Sequence, residues 1–124
     1  PFAFANKSVI GWFRRQARAG VTLGGVSGGP VVLAEAGLMS GRRMTVHWEH
    51  AGALAERRPD LLIEQRLYVI DRDRMTCAGG AAPMDLTHAL ISQHHGPGFA
   101  AKVADWFHHT EIRTARPTWP PANP

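Results

Sequence analysis

The chain has 124 residues, 44% of them hydrophobic and 19% charged, with a formal net charge of +4. That balance suits one folded domain with a modest core and excludes a disordered or fibrous chain. No apolar run approaches the roughly 20 residues of a membrane span, no segment has the three regions of a signal peptide, and a lone cysteine, Cys77, excludes an internal disulfide framework.

Residues 1–7 read as irregular. Ser8 is placed to cap a helix over 9–19, with Ile10, Phe13 and Ala17 on one face and Gly20 as its stop. Val21 to Val26 is short and apolar and ends in glycines, the pattern of a buried parallel strand. A helix follows from Gly29 to Ala36, with Pro30 in its first turn and Gly37 closing it. Arg42 to His47 reads as the next strand, Glu49 to Arg57 as a short helix ended by Pro59, and Leu61 to Ile63 as a brief strand. Leu67 to Ile70 and Arg74 to Cys77 flank Asp71-Arg72-Asp73 as a hairpin. Met84 to His94 is a helix with Leu86, Ala89 and Leu90 inward. Gly96-Pro97-Gly98 breaks it, and Phe99 to His109 is the last helix. The tail 114–124 holds four prolines and no hydrophobic periodicity, as a linker or a frayed end does.

Strands alternating with helices predict an α/β fold, its sheet partly parallel and covered by helices on both faces. Ligands gather at strand ends in such sheets. Ser27, His47 and Gly79 each fall at a predicted strand end, so one pocket can hold all three.

Gly25-Val26-Ser27-Gly28-Gly29 fits G-x-S-x-G in the strand–turn–helix setting that motif requires. The turn exposes the serine, and the amides of the next helix can stabilise an oxyanion. The pattern is short, however, and arises in any glycine-rich turn. In His47-Trp48-Glu49-His50 the histidine can act as base or donor, Trp48 can cover a quaternary ammonium, and Glu49 can add opposite charge. The residues alone favour a plainer reading, a strand-to-helix junction with Trp48 in the core.

The histidine pairs His94-His95 and His108-His109 point about 100° apart on a helix, so neither makes a metal site by itself, and no metal or cofactor is expected. Cys77 reads as a small buried hydrophobe. The arginines are spread out, with Arg14, Arg15 and Arg18 near one helix end, Arg42 and Arg43 in a turn and Arg57 and Arg58 at another helix end; those at helix ends complement the dipole, and there is no arginine-rich stripe for nucleic acid.

The order of motifs is more specific than any one of them. VSGGPVVLAEAGLMSGRRMTVHW followed by RLYVIDRDRMTCAGGAAPMDLTHALISQHHG resembles the C-terminal part of a ThiJ/PfpI-type domain, which is class I glutamine-amidotransferase-like. Within it, HWEH, DRDRMTCAGGAAPMDL and HHTEIR resemble the GlxA-like regulators of glycine betaine, carnitine and arginine catabolism, in which this domain precedes an AraC-type DNA-binding domain. The resemblance covers about residues 8–113. It implies a flavodoxin-like three-layer α/β/α sandwich with a largely parallel sheet. Residues 1–113 would be only the C-terminal part of that domain, and 114–124 a proline-rich tail or the start of a linker. The opening strands and the superfamily's acid would have no counterpart here, and an N-terminal portion or another chain would cover the surface left open.

The resemblance also implies that Ser27 stands where the superfamily's enzymes carry a cysteine, and that His47 is the site histidine. A serine hydroxyl is barely ionised at neutral pH, whereas a cysteine can be a thiolate. The expected function is therefore effector sensing, without catalysis, in a cytoplasmic AraC-type transcriptional regulator. The ligand would be a small amino-acid-like or quaternary-ammonium metabolite. Ser27, Gly28 and Gly29 would meet its polar end, His47, Trp48 and Glu49 would line the pocket, and Gly79 and Gly80 would allow close approach. The parent protein would be a homodimer that reaches DNA through a helix-turn-helix domain outside this chain. The alternative is a hydrolase, amidase or hydro-lyase using Ser27 with His47. A third reading is a ligand-free dimerisation module whose pocket is filled by side chains.

Overall fold

Asn6 sits in extended backbone, and its side-chain oxygen accepts the Val9 N–H at 3.2 Å, which starts α1 (Lys7–Arg18). The helix thus takes its cap from Asn6 and not from Ser8. The two side chains are about equally good caps, so backbone geometry decides between them. The computed structural model describes residues 6–115, so most of the expected irregular start and of the proline-rich tail lies outside the described residues. Phe13 and Ala17 pack on the core as the periodicity predicts, and Arg14 Nε donates to the Ala36 carbonyl at 2.9 Å.

The elements that follow are β1 (Leu23–Val26), α2 (Gly29–Glu35), β2 (Arg43–Met44), α3 (Trp48–Arg57), β3 (Leu62–Ile63), β4 (Tyr68–Asp71), β5 (Arg74–Cys77), α4 (Ala82–His95) and α5 (Pro97–Trp106). β1 runs parallel to β5, from Leu23 opposite Arg74 to Val26 opposite Cys77. β4 joins β5 as the antiparallel hairpin, turned at Arg72 with φ 56°. β2 and β3 form a separate parallel pair. The sheet structure is therefore partly parallel.

The expected strand Arg42–His47 shortens to two residues for a local reason. The Thr45 amide donates to the Thr76 hydroxyl at 2.9 Å instead of to a carbonyl, and the Thr45 hydroxyl donates to the Arg66 carbonyl at 2.9 Å. The chain leaves the ladder there, yet Thr45 and Val46 stay fully buried. α5 begins at Pro97 because Gly96, at φ 87°, ends α4 in a single residue and proline is tolerated in a first turn.

Side chains alternate across a strand. Leu23, Gly25 and Thr76 face α2 and a core of Val31, Leu33, Met39, Met44, Val46 and Leu54. Met75 and Cys77, with Tyr68 and Ile70 of β4, face α4 through Leu86 and Leu90. Helices thus cover both faces, and α5 packs outside α4 through Ala100 and Ala104. β1 is an edge of the three-stranded sheet, and its Val26 is 49% exposed. Because β1 and β5 are parallel, both deliver their following loops to the same end of the sheet.

Candidate functional site

Ser27 follows β1 directly, and α2 begins two residues later. A Cβ on Gly25 would lie 2.6 Å from the Pro30 nitrogen and 2.8 Å from the Gly29 carbonyl carbon. The returning helix passes that close, so only glycine fits, which gives the first glycine of G-x-S-x-G its physical reason. Ser27 itself has φ 61°, a left-handed conformation that costs a residue with a Cβ about 1–2 kcal/mol. Two backbone bonds fix it there. Its amide donates to the Cys77 carbonyl at 3.0 Å, and its carbonyl accepts the His47 amide at 3.0 Å.

The strand ends of the expected pocket therefore converge. Gly79, at φ 93°, lies so close to Ser27 that a Cβ on it would fall 2.8 Å from the serine Oγ. His47 caps α3, its Nδ1 accepting the Glu49 amide at 3.1 Å, and its ring stacks on Trp48 with centroids 5.7 Å apart. Trp48 is 43% exposed, so the plainer reading that buried it in the core is overturned: the helix start turns it outward.

A cavity of about 170 Å³ opens at this end of the sheet, with His47, Trp48, Gly79, Gly80, Ala81 and Arg113 among the residues that line it. That is below the ~300–1,000 Å³ of drug-sized sites and suits a small metabolite. Ser27 stands behind Gly79 and is not in the wall itself. Gly28 and Gly29 open α2 beside it. Glu49 is exposed on the first turn of α3, where its amide orients His47. A larger, largely apolar cavity of about 280 Å³ lies between α4 and α5, away from the strand ends. The smaller one has the convergent polar groups, and chemistry outweighs size here.

The sequence reading missed Arg113 and its partner Asp85, whose exposure is 2%. Asp85 Oδ2 accepts Arg113 Nε at 3.1 Å and Nη2 at 3.0 Å, while Oδ1 accepts the Arg113 amide at 2.8 Å. His109 Nε2 lies 3.3 Å from the same Oδ1. The segment is also tied to the residue before β4: the amide of Leu67 donates to the Ala115 carbonyl at 3.3 Å. Burial pushes the neighbouring Tyr68 hydroxyl above its ordinary range, the Asp85 charge adds to this, and a bond to the Ala115 backbone offsets part of it. A signal for the pair was present: an aspartate on the same face as Leu86 in an inward-facing helix needs a distant cation.

Cys77 is fully buried. Burial pushes its thiol up, against smaller opposing effects of the backbone at Gly79 and Ser27, so it is an unreactive buried thiol. Among the described residues no three His, Cys, Asp or Glu side chains gather into a metal site, and no helix is long and apolar enough to cross a membrane.

Comparison with known proteins agrees with this geometry. Residues 3–93 match the DJ-1/PfpI family. The chain is 47% identical over 113 residues to the HTH-type transcriptional regulator CdhR of Pseudomonas aeruginosa, covering 91% of this chain and 34% of that one. It is 46% identical over 99 residues to the HTH-type transcriptional regulator GlxA of Rhizobium meliloti, covering 80% and 31%. The chain thus spans about a third of the length of these relatives. Among solved structures, an AraC family transcriptional regulator from Pseudomonas putida superposes with a TM-score of 0.76 at 27% identity, covering 85% of this chain and 57% of that one. A Vibrio parahaemolyticus structure at 17% identity, TM-score 0.70, shares the fold. A glycine-forced elbow with a strained serine, a histidine docked on its carbonyl and a cavity at the strand ends thus sit in a mixed α/β frame, and the chain belongs to the DJ-1/PfpI family.

Proposed function

We propose that this chain is the effector-sensing part of an AraC-type transcriptional regulator, and that its cavity binds a small amino-acid-like or quaternary-ammonium metabolite without transforming it. The observation that carries this reading is the state of His47. Its Nδ1 is occupied by the Glu49 amide, so in the neutral ring the proton sits on Nε2. Such a ring presents a donor to a ligand and has no free lone pair with which to deprotonate Ser27. Without His47 as its base, Ser27 is a poorer nucleophile. The names of the relatives support the regulatory role, and DNA contact would belong to a helix-turn-helix domain elsewhere in the parent protein.

Trp48 suits the cationic end of such a metabolite, since an exposed indole face attracts a quaternary ammonium. Binding would act by favouring one of two arrangements of a dimer or of the connection to the DNA-binding domain.

The test is a thermal-shift titration of the full-length protein with glycine betaine, carnitine and arginine. A ligand at 100 times its Kd stabilises by about 2.7 kcal/mol, a readily measured shift. No stabilisation by any of them, together with turnover of a substrate that Ser27→Ala abolishes, would establish the hydrolase, amidase or hydro-lyase alternative instead.

A further inference from the structure

We infer that Arg113 is the group through which the cavity recognises a carboxylate, so that the ligand is a small acid or zwitterion. This rests on the sensing role proposed above and assigns one end of the ligand to one residue.

Of the described residues that line the cavity, Arg113 alone carries a permanent charge. Its guanidinium is held edge-on: Nε and Nη2 both donate to Asp85 Oδ2, which leaves Nη1 outside the pair. Asp85 is buried, while the Arg113 side chain is 41% exposed. The carboxylate therefore lies behind the guanidinium, and the pair turns its positive side outward. A planar guanidinium fixed along one edge is prepared to meet a carboxylate with the other, and little further side-chain entropy is lost on binding. The neighbouring wall adds the same sign. Gly79, Gly80 and Ala81 lead into the 14-residue α4, whose N-terminus has no side-chain cap, so the positive end of its dipole adjoins the cavity, offset in part by Asp85 in the same first turn. Glycines at 79 and 80 leave that wall without side chains, and among the described residues no acidic side chain lines the cavity to repel an anion. Trp48, on the same cavity, is suited to an attached cation. The two groups together select a zwitterion over a simple amine.

The experiment compares matched ligands on the full-length protein by calorimetric titration: glycine betaine against choline, and L-arginine against agmatine. Each second compound keeps the cation and lacks the carboxylate. The expected result is at least about tenfold tighter binding of the carboxylated member by the wild type. That ratio should collapse toward one in Arg113→Gln. It should fall only partly in Arg113→Lys, which keeps the charge and loses the fork, and which serves if the glutamine variant does not fold. Equal binding of both members to the wild type, or a ratio unchanged in the variants, overturns the assignment while leaving sensing intact. Failure of all four compounds to bind overturns the sensing role for this cavity and the assignment with it.

Discussion

Replacing Gly79 with alanine puts a methyl group where Ser27 already stands. The new carbon would lie 2.8 Å from Ser27 Oγ, 2.9 Å from its Cβ and 3.2 Å from its Cα, well inside the 3.4 Å at which ordinary contact begins. Ser27 cannot swing away freely, because its amide and carbonyl are both bonded to other segments. Overpacking of this kind costs about 1–3 kcal/mol, and the positive φ adds about 1–2 kcal/mol for a residue with a Cβ. Gly79→Ala should therefore lose about 2–5 kcal/mol. Gly80→Ala is the internal control: φ is 59°, but nothing lies within 4 Å of the new carbon, so only the backbone cost of about 1–2 kcal/mol applies. The assay is urea denaturation at constant m, comparing midpoints. Ser27→Gly in the Gly79→Ala background should recover part of the loss, since it removes Oγ and Cβ but leaves Cα in place. Equal destabilisation by the two alanine variants, or strict additivity in the double mutant, would refute the claimed packing of Ser27 on Gly79.

Asp85→Asn should cost about 1–3 kcal/mol, because it turns charge-assisted bonds into weaker ones and sets an amide donor against a guanidinium that is already part-screened by water. It should also speed tryptic cleavage after Arg113, and an unchanged rate would count against the tie. Cys77 should react with thiol reagents far more slowly in the native state than in denaturant at neutral pH. Its thiol is raised from an ordinary value of 9.0, so its contribution to stability is full below that value and is lost as pH rises through the higher folded one. Glu64 and Asp71 work in the opposite direction. The Arg43 side chain, with Arg66 adding to it, holds Glu64 below its usual 4.5, and the Arg43 amide holds Asp71 below 3.8. Their contribution is complete above those ordinary values and is lost as pH falls below them, so Glu64→Gln should flatten the acid side of the stability curve.

Much of this molecule was legible because its signals are local. The apolar run into Ser27, the turn at Asp71-Arg72-Asp73 and the glycines at 20 and 96 each specify their own backbone, and the elements form where those signals lie. The misses share the opposite property. β2 ends early because Thr45 finds the hydroxyl of Thr76, 31 residues away, which no window of neighbouring residues reveals. Arg113 lies in a stretch without periodicity and acquires its place only from Asp85, 28 residues before it. The convergence of Ser27, His47 and Gly79 was legible because parallel strands bring their ends together by topology. Which side chains face the cavity was not, since that depends on how Gly79 screens Ser27 and how α3 turns Trp48 outward.

The two backbone bonds at Ser27 have a consequence for how the cavity is held. Gly79 and His47 in its wall flank a serine whose amide is bonded to the Cys77 carbonyl and whose carbonyl is bonded to the His47 amide. Arg113 is held by a different device, since its amide and guanidinium both rest on the buried carboxylate of Asp85. Amide exchange should read both anchors: Ser27 and His47 should be slow, and Arg113 should lose its protection in Asp85→Asn. Such a cavity is a vice with two unlike jaws, one fastened through the main chain and the other through a single charge.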